Sequence, residues 1–213
     1  MGVVRRKLKG LINRAVPDRY FITRCIKDKY SVYLTFDDSP HPVWTPRSMD
    51  LLEQYDIKAT YFLVGQDAMR HAGIVKDIVR RGHTVGNHTY SHRSIVGLGK
   101  KDLEVEIVEN RKRLSDLCGQ DVKMFRPPWG RLDFRSAAYI ILRGQKIVMW
   151  SLDSTDYKMV GAGAIIDWIE NASVSAGEII LFHDDNEQTI TALPDLIENV
   201  RRKGLVFNNL KNN

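Results

Sequence analysis

The sequence predicts a single α/β domain with a largely parallel sheet, and three observations carry that prediction. Short β-branched and aromatic runs alternate with longer stretches of helical period, Gly or Pro stands at most of the junctions, and no linker, internal repeat or low-complexity tract interrupts the series. Strands separated by stretches long enough to cross over a sheet face pair in parallel.

In order along the chain, SVYLTF (31–36) is the first strand and TPRSMDLLEQY the helix after it. ATYFLV (59–64) precedes AGIVKDIVRR, and the glycine of RRGH then resets the period for HTVGN (83–87). KKDLEVEIVENRKRLSDL is the longest helical stretch and stops at LCGQ, before VKMFR (122–126). FRSAAYIILR leads through RGQK to KIVMWS (146–151), and GAIIDWIENASV through SAGE to EIILFH (178–183). ITALPDLIENVRRK and GLVF (204–207) close the pattern. The domain is expected from about residue 28 to 213, with 1–27 as a basic amphipathic N-terminal segment. Seven strands fit either an open sheet or a barrel, since both place their chemistry at the carboxyl ends of strands.

Of the 213 residues, 43% are hydrophobic and 27% charged, as in a soluble globular protein able to bury one core. The net charge of +6 is local: residues 1–24 hold seven Lys/Arg and one acid, and the remainder is neutral. A nucleic-acid groove in the body of the domain is therefore not expected. Two cysteines, Cys25 and Cys118, make no metal-type pair and no disulfide framework. Residues 1–20 interleave charge with apolar residues, unlike a secretory signal or a membrane span, so the expectation is a cytoplasmic protein. Val4, Leu8, Leu11, Ile12 and Ala15 line one face among Arg5, Arg6, Lys7, Lys9 and Arg14. Residues 1–16 could pack on the barrel or touch an anionic membrane.

Polar residues cluster where the strands stop. Strand one ends in Asp37-Asp38, strand three in NHTYSH, strand four in RPPWG, strand five in SLDSTD and strand six in FHDD. In a parallel sheet these groups share one rim. His88 and His92, four apart, fall on one face of a helical turn, close enough to share a metal. Adjacent aspartates repel, and a divalent cation would cancel that repulsion by binding one and leaving the other as a base; the plainer alternative is that one of them caps a turn. Two histidines and a carboxylate suit zinc in a hydrolase or iron in an oxygenase.

TFDDSP, HTYSH, RPPWG, DSTDY and LFH resemble, in order, the five motifs of the polysaccharide deacetylases, carbohydrate esterase family four, over roughly residues 30–207. The resemblance implies a distorted (β/α) barrel of about seven parallel strands and metal-dependent hydrolysis of an N-acetyl group on an amino sugar. By it, Asp38, His88 and His92 would bind a divalent metal, zinc first, with cobalt or nickel as alternatives. Asp37 would be the general base, held ionised by Arg126, and His183 the general acid, oriented by Asp156. The Trp129 backbone N–H would face the oxyanion, and Tyr157 and Leu181 would line the acyl pocket. The chemistry is consistent in itself: the metal activates water and polarises the carbonyl, while an amine leaves only when protonated.

Two positions depart from the pattern. Ser39 stands where the family commonly has Gly, which removes positive-φ freedom, and Tyr157 stands where it commonly has Trp. The expected partner is a carbohydrate bearing an N-acetylated amino sugar. A deformylase or deacetylase of a lipid-linked amino sugar would use the same residues. A catalytically silent carbohydrate-binding protein would be expected to lose at least one of them. The oxygenase reading leaves His183 and Asp156 without a role.

Overall fold

The structure, a computed structural model, describes residues 17–212. The expected amphipathic face over residues 1–16, with its membrane contact, lies outside the described residues. Among the described residues no helix is long and apolar enough to cross a membrane.

All seven expected strands form. They are β2 (Ser31–Ser39), β3 (Thr60–Leu63), β4 (Thr84–Asn87), β5 (Met124–Phe125), β6 (Lys146–Val148), β8 (Ile179–His183) and β9 (Val206–Asn208). Two short strands join them, β1 (Phe21–Ile22) and β7 (Leu152–Asp153). The strand order is β1-β6-β5-β4-β3-β2-β8-β7, with β9 paired to β2, and every one of these ladders is parallel. The sheet curls into the incomplete barrel that the motifs implied. Strand β1 bonds to β6 ahead of residue 28, so the packed sheet reaches into the segment the sequence had set apart.

Helices cover the outside: α1 (Trp44–Gln54), α2 (Gly65–Arg70), α3 (Ala72–Arg80), α4 (Lys100–Leu103), α5 (Asn110–Cys118), α6 (Phe134–Leu142), α7 (Ala162–Asn171) and α8 (Glu187–Arg202). A π-helical segment, Glu104–Glu109, joins α4 to α5. Asp133 caps α6, accepting from the Ser136 N–H at 2.7 Å, and Asn186 caps α8, accepting from Thr189 N–H at 3.0 Å. Gly119, at φ 65°, ends α5 in the left-handed conformation that glycine adopts without a Cβ penalty.

Strand alternation sends the two faces of β2 into different cores. Val32, Leu34 and Phe36 of β2 point outward and pack with Tyr61, Leu63, Ile180 and Phe182 against the helices. Tyr33 points inward, to a smaller cluster with Phe62, Met124, Val148 and Ile179. Thr35 and Asp37 share its face, so the inner side of β2 turns from apolar to polar toward its carboxyl end.

The expected strand at 146–151 stops early, and the reason is specific. The carbonyls of Val148 and Met149, which a longer ladder would use, accept from Arg126 Nε and Nη2 at 3.1 and 3.0 Å. The chain then turns through Trp150 and rejoins the sheet as β7.

Candidate active site

Adjacent residues on a flat strand point to opposite faces, so Asp37 and Asp38 cannot both face the barrel mouth without a distortion. A β-bulge supplies it. Between Phe36↔Tyr61 and Ser39↔Leu63, β2 advances three residues while β3 advances two. Asp38 takes φ 63° there, a left-handed conformation that Asp tolerates better than most residues. Positive φ therefore lies at Asp38, and Ser39 ends the strand in its place, so the glycine-to-serine change is not a loss of φ freedom.

Asp37 is buried, and its Oδ1 accepts from Arg126 Nη1 at 2.7 Å. Arg126 is fully buried, bonded also to Thr35 Oγ1 at 2.9 Å and lying 4.0 Å over the Phe62 ring. Burial pulls the guanidinium pKa down and Asp37 pulls it back, so the group stays charged. The second oxygen of Asp37 lies 3.8 Å from His88 Nε2.

His88 and His92 sit on a loop, not on the helical turn expected from their spacing. The loop amides are bound by side chains that preclude a helix. Asn87 Oδ1 accepts from Thr89 N–H at 3.0 Å, and the buried Glu106 accepts from the N–H groups of Tyr90 and Ser91, both at 2.9 Å, and from Ser91 Oγ at 2.7 Å. Thr89 and His92 take positive φ, 67° and 55°, and Thr89 is held there by its carbonyl, which accepts from Gly65 N–H at 2.9 Å and Asn110 Nδ2 at 2.9 Å. A Cβ on Gly65 would meet Asn110 Oδ1 at 1.9 Å, so glycine is required where α2 meets the loop. Glu106 comes from the π-helical segment, and Asn87 Nδ2 donates to its Ile107 carbonyl at 2.9 Å.

The imidazoles converge on Asp38. Its Oδ1 lies 3.0 Å from His92 Nε2 and 3.4 Å from His88 Nε2, and donor atoms of all three residues fall within 4.8 Å of one another. Asp38 Oδ1 is buried without a hydrogen-bond partner. His88 Nδ1 lies 2.7 Å from the Arg126 carbonyl, which can only accept, so the proton sits on Nδ1 and Nε2 presents a lone pair. An unsatisfied carboxylate oxygen facing a bare imidazole nitrogen is the donor set that a divalent cation completes.

Register places His183 beside Asp37 and Leu181 beside Thr35, on the same inner face. His183 Nδ1 lies 2.8 Å from Asp156 Oδ1, and its Nε2 is 4.0 Å from Asp38 Oδ2. Asp156 is buried, and its Oδ2 accepts from the His183 N–H at 2.8 Å and Thr189 Oγ1 at 3.0 Å. Burial works against the imidazolium, but Asp156, with Asp37 and Asp38 behind it, raises the His183 pKa to about 9.

Trp129 and Tyr157 form two exposed walls. Trp129, at φ 54°, meets His92 edge-on with ring centroids 4.8 Å apart, and Tyr157 meets His183 edge-on at 5.3 Å. Leu181 is buried one pleat repeat below His183. Every site residue expected from the sequence thus lies at this end of the barrel or on the face leading to it. Thr35, Glu106, Asn87, Asn110 and Thr189, which fix those residues, carry no local sequence signal; only their neighbours across the fold give them a role.

Fold and site together define a parallel α/β barrel with a His–His–Asp candidate metal centre between a carboxylate–guanidinium pair and a carboxylate–imidazole pair. The chain belongs to the polysaccharide deacetylase family, whose profile matches residues 26–146. It is 34% identical to a peptidoglycan-N-acetylglucosamine deacetylase of Bacillus cereus, over 84% of this chain and 66% of that protein, slightly under two thirds of its length. It is 33% identical to a chitooligosaccharide deacetylase of Sinorhizobium fredii, over 86% of this chain and 91% of that one. The crystal structure of the Bc1960 peptidoglycan N-acetylglucosamine deacetylase, in complex with 4-naphthalen-1-yl-N-oxidanyl-benzamide, superposes with a TM-score of 0.84 at 33% identity, covering 90% of this chain and 91% of that chain.

Proposed function

We propose that this protein is a metal-dependent hydrolase that removes the N-acetyl group from an N-acetylated amino sugar within an oligo- or polysaccharide. The observation that carries the reading is the flanking of one ligand set by two groups of opposite role. Asp37 Oδ2 lies 3.8 Å from His88 Nε2, and His183 Nε2 lies 4.0 Å from Asp38 Oδ2, so each approaches a different member of the ligand set. The relatives' substrates, peptidoglycan N-acetylglucosamine and chitooligosaccharides, support the amino-sugar class.

Asp38, His88 and His92 would hold the ion, zinc being favoured by two imidazoles and one carboxylate with open positions. Bound there, it supplies Lewis-acid polarisation of the amide carbonyl and a lower pKa for water. The free oxygen of Asp37 accepts a proton from the attacking water, and Arg126, bonded to the other oxygen, fixes that carboxylate in place. His183 delivers a proton from Nε2 to the departing amine, with Nδ1–H held by Asp156 so that the other nitrogen faces the site. The N–H of Trp129 would steady the developing oxyanion. Trp129 and Tyr157 present apolar ring faces to a sugar, and Leu181 limits the depth available to the acyl group.

Mass spectrometry of N-acetylglucosamine oligomers and lipid-linked acetamido sugars, after incubation with metal-loaded protein, tests the reading. Loss of acetyl from the oligomers is expected. Turnover confined to lipid-linked sugars, or to formyl groups, would replace the substrate class. Sugar binding without turnover by the loaded protein would make it a carbohydrate-binding protein.

A further inference from the structure

Ser39 and Asp184 are both fully buried, and Ser39 Oγ donates to Asp184 Oδ1 at 2.6 Å. Each follows a residue of the site in the chain: Ser39 comes after Asp38, and Asp184 after His183. The last register pair between β2 and β8 is Asp37↔His183, so this bond closes the two strands just beyond the point where backbone pairing ends. It also lies at the exit of the bulge that turns Asp38 into the site. Ser39 is anchored on its other side by its carbonyl, which accepts from Val64 N–H at 2.8 Å. The bulge exit is therefore held between β3 and the residue after His183. Beyond the ladder pair Asp37↔His183, the chain segments that carry Asp38 and His183 are joined by this short side-chain contact.

We propose that the Ser39–Asp184 hydrogen bond is a positioning contact for proton delivery, fixing the placement of His183 against Asp38. The proposal rests on the deacetylase reading above. Neither residue touches substrate; both act through His183. A displaced imidazole slows a reaction whose leaving amine must be protonated, but leaves almost untouched one whose leaving group departs unaided.

The test compares an N-acetylglucosamine oligomer with an activated aryl acetate, alongside zinc affinity by calorimetry. Ser39→Ala is expected to lower kcat on the oligomer about 10-fold with little change in KM. Aryl acetate turnover and zinc affinity should stay near those of the parent. In a His183→Ala background, adding Ser39→Ala should cost nothing more, since a contact acting through an absent imidazole has nothing left to position. Asp184→Asn, which keeps an oxygen for the Ser39 hydroxyl, is expected to track the parent. Should Ser39→Ala fail to fold, Ser39→Gly is read in the same way. Equal losses on both substrates, a loss of zinc affinity large enough to explain the rate, or full additivity with His183→Ala overturns the proposal. An active parent in which His183→Ala is selective for the amide and Ser39→Ala is not refutes this contact alone. A parent inactive on both substrates refutes the deacetylase reading, and the proposal with it.

Discussion

Arg126 Nη1 and Asp37 Oδ1 meet at 2.7 Å across 89 positions of sequence, and both side chains are buried. That pairing separates the two neighbouring aspartates chemically. Asp37 spends one oxygen on a guanidinium, while Asp38, beside it, has Oδ1 with no partner but the two imidazoles it faces.

The first prediction follows from this division. Asp38→Ala is expected to lower zinc binding sharply and abolish activity, whereas Asp37→Asn should abolish activity with zinc stoichiometry near that of the parent. Metal analysis after equilibrium dialysis, on variants checked for folding by circular dichroism, reads both. Loss of zinc from both alike would make Asp37 a ligand instead of a base.

The second concerns His183, held by Asp156 at 2.8 Å. His183→Ala should slow deacetylation of an amino sugar far more than hydrolysis of an activated aryl acetate, by about 10²-fold or more. Steady-state kinetics on the two substrates decide it, and equal losses would remove His183 from the acid role.

The sequence carried the strands and the convergence of their ends, because apolar period and polar strand termini are local patterns. Helix α2, strands β1 and β7 and the π-helical segment were not legible. Two-residue strands have no period to detect, and the π segment is tied to another element by Asn87 Nδ2, which donates to the Ile107 carbonyl. The spacing of His88 and His92 pointed to two imidazoles that do converge with Asp38, though on a loop and not on a helical turn. Residues four apart in a helix or in a folded loop look alike in sequence, and it is Glu106, reaching in from the π segment, that decides for the loop. Ser39 likewise looked like a changed turn residue until its partner, 145 positions away, was in view.

Glu106 carries the third prediction. One buried carboxylate accepts from two loop amides and the Ser91 hydroxyl and pairs with Arg93 Nε at 3.0 Å. Glu106→Gln keeps the size but loses the charge and half the acceptor capacity, so the loop carrying His88 and His92 loosens. Zinc affinity measured by competition with a chelator should fall roughly 10- to 100-fold, as for partners that orient ligands. Unchanged affinity would mean that the loop is fixed by Asn87 and Asn110 alone.

The last prediction lies in the core, at His83. Its Nδ1 accepts from Ala59 N–H at 3.1 Å, its Nε2 is buried without a partner, and its ring meets Tyr61 edge-on. Burial, with Lys58 and Arg81 adding to it, lowers its pKa from 6.5 to about 4. Between those values the unfolded chain binds the proton that the folded one refuses. The stability from a neutral His83 is therefore complete above pH 6.5, is lost as pH falls to about 4, and changes no further below that. The shift corresponds to roughly 3 kcal/mol at most. Asp184 runs the other way, since burial raises its pKa from 3.8 to about 6 and its neutral form favours the fold in acid. The parent's own pH profile mixes the two, and comparison with His83→Gln separates them. Urea unfolding at pH 7 and pH 4 should show the variant less stable than the parent at pH 7, because His83 packs against Tyr61, and the gap narrowing or reversing at pH 4. A gap that stays constant between the two pH values would show that His83 does not titrate differently on folding.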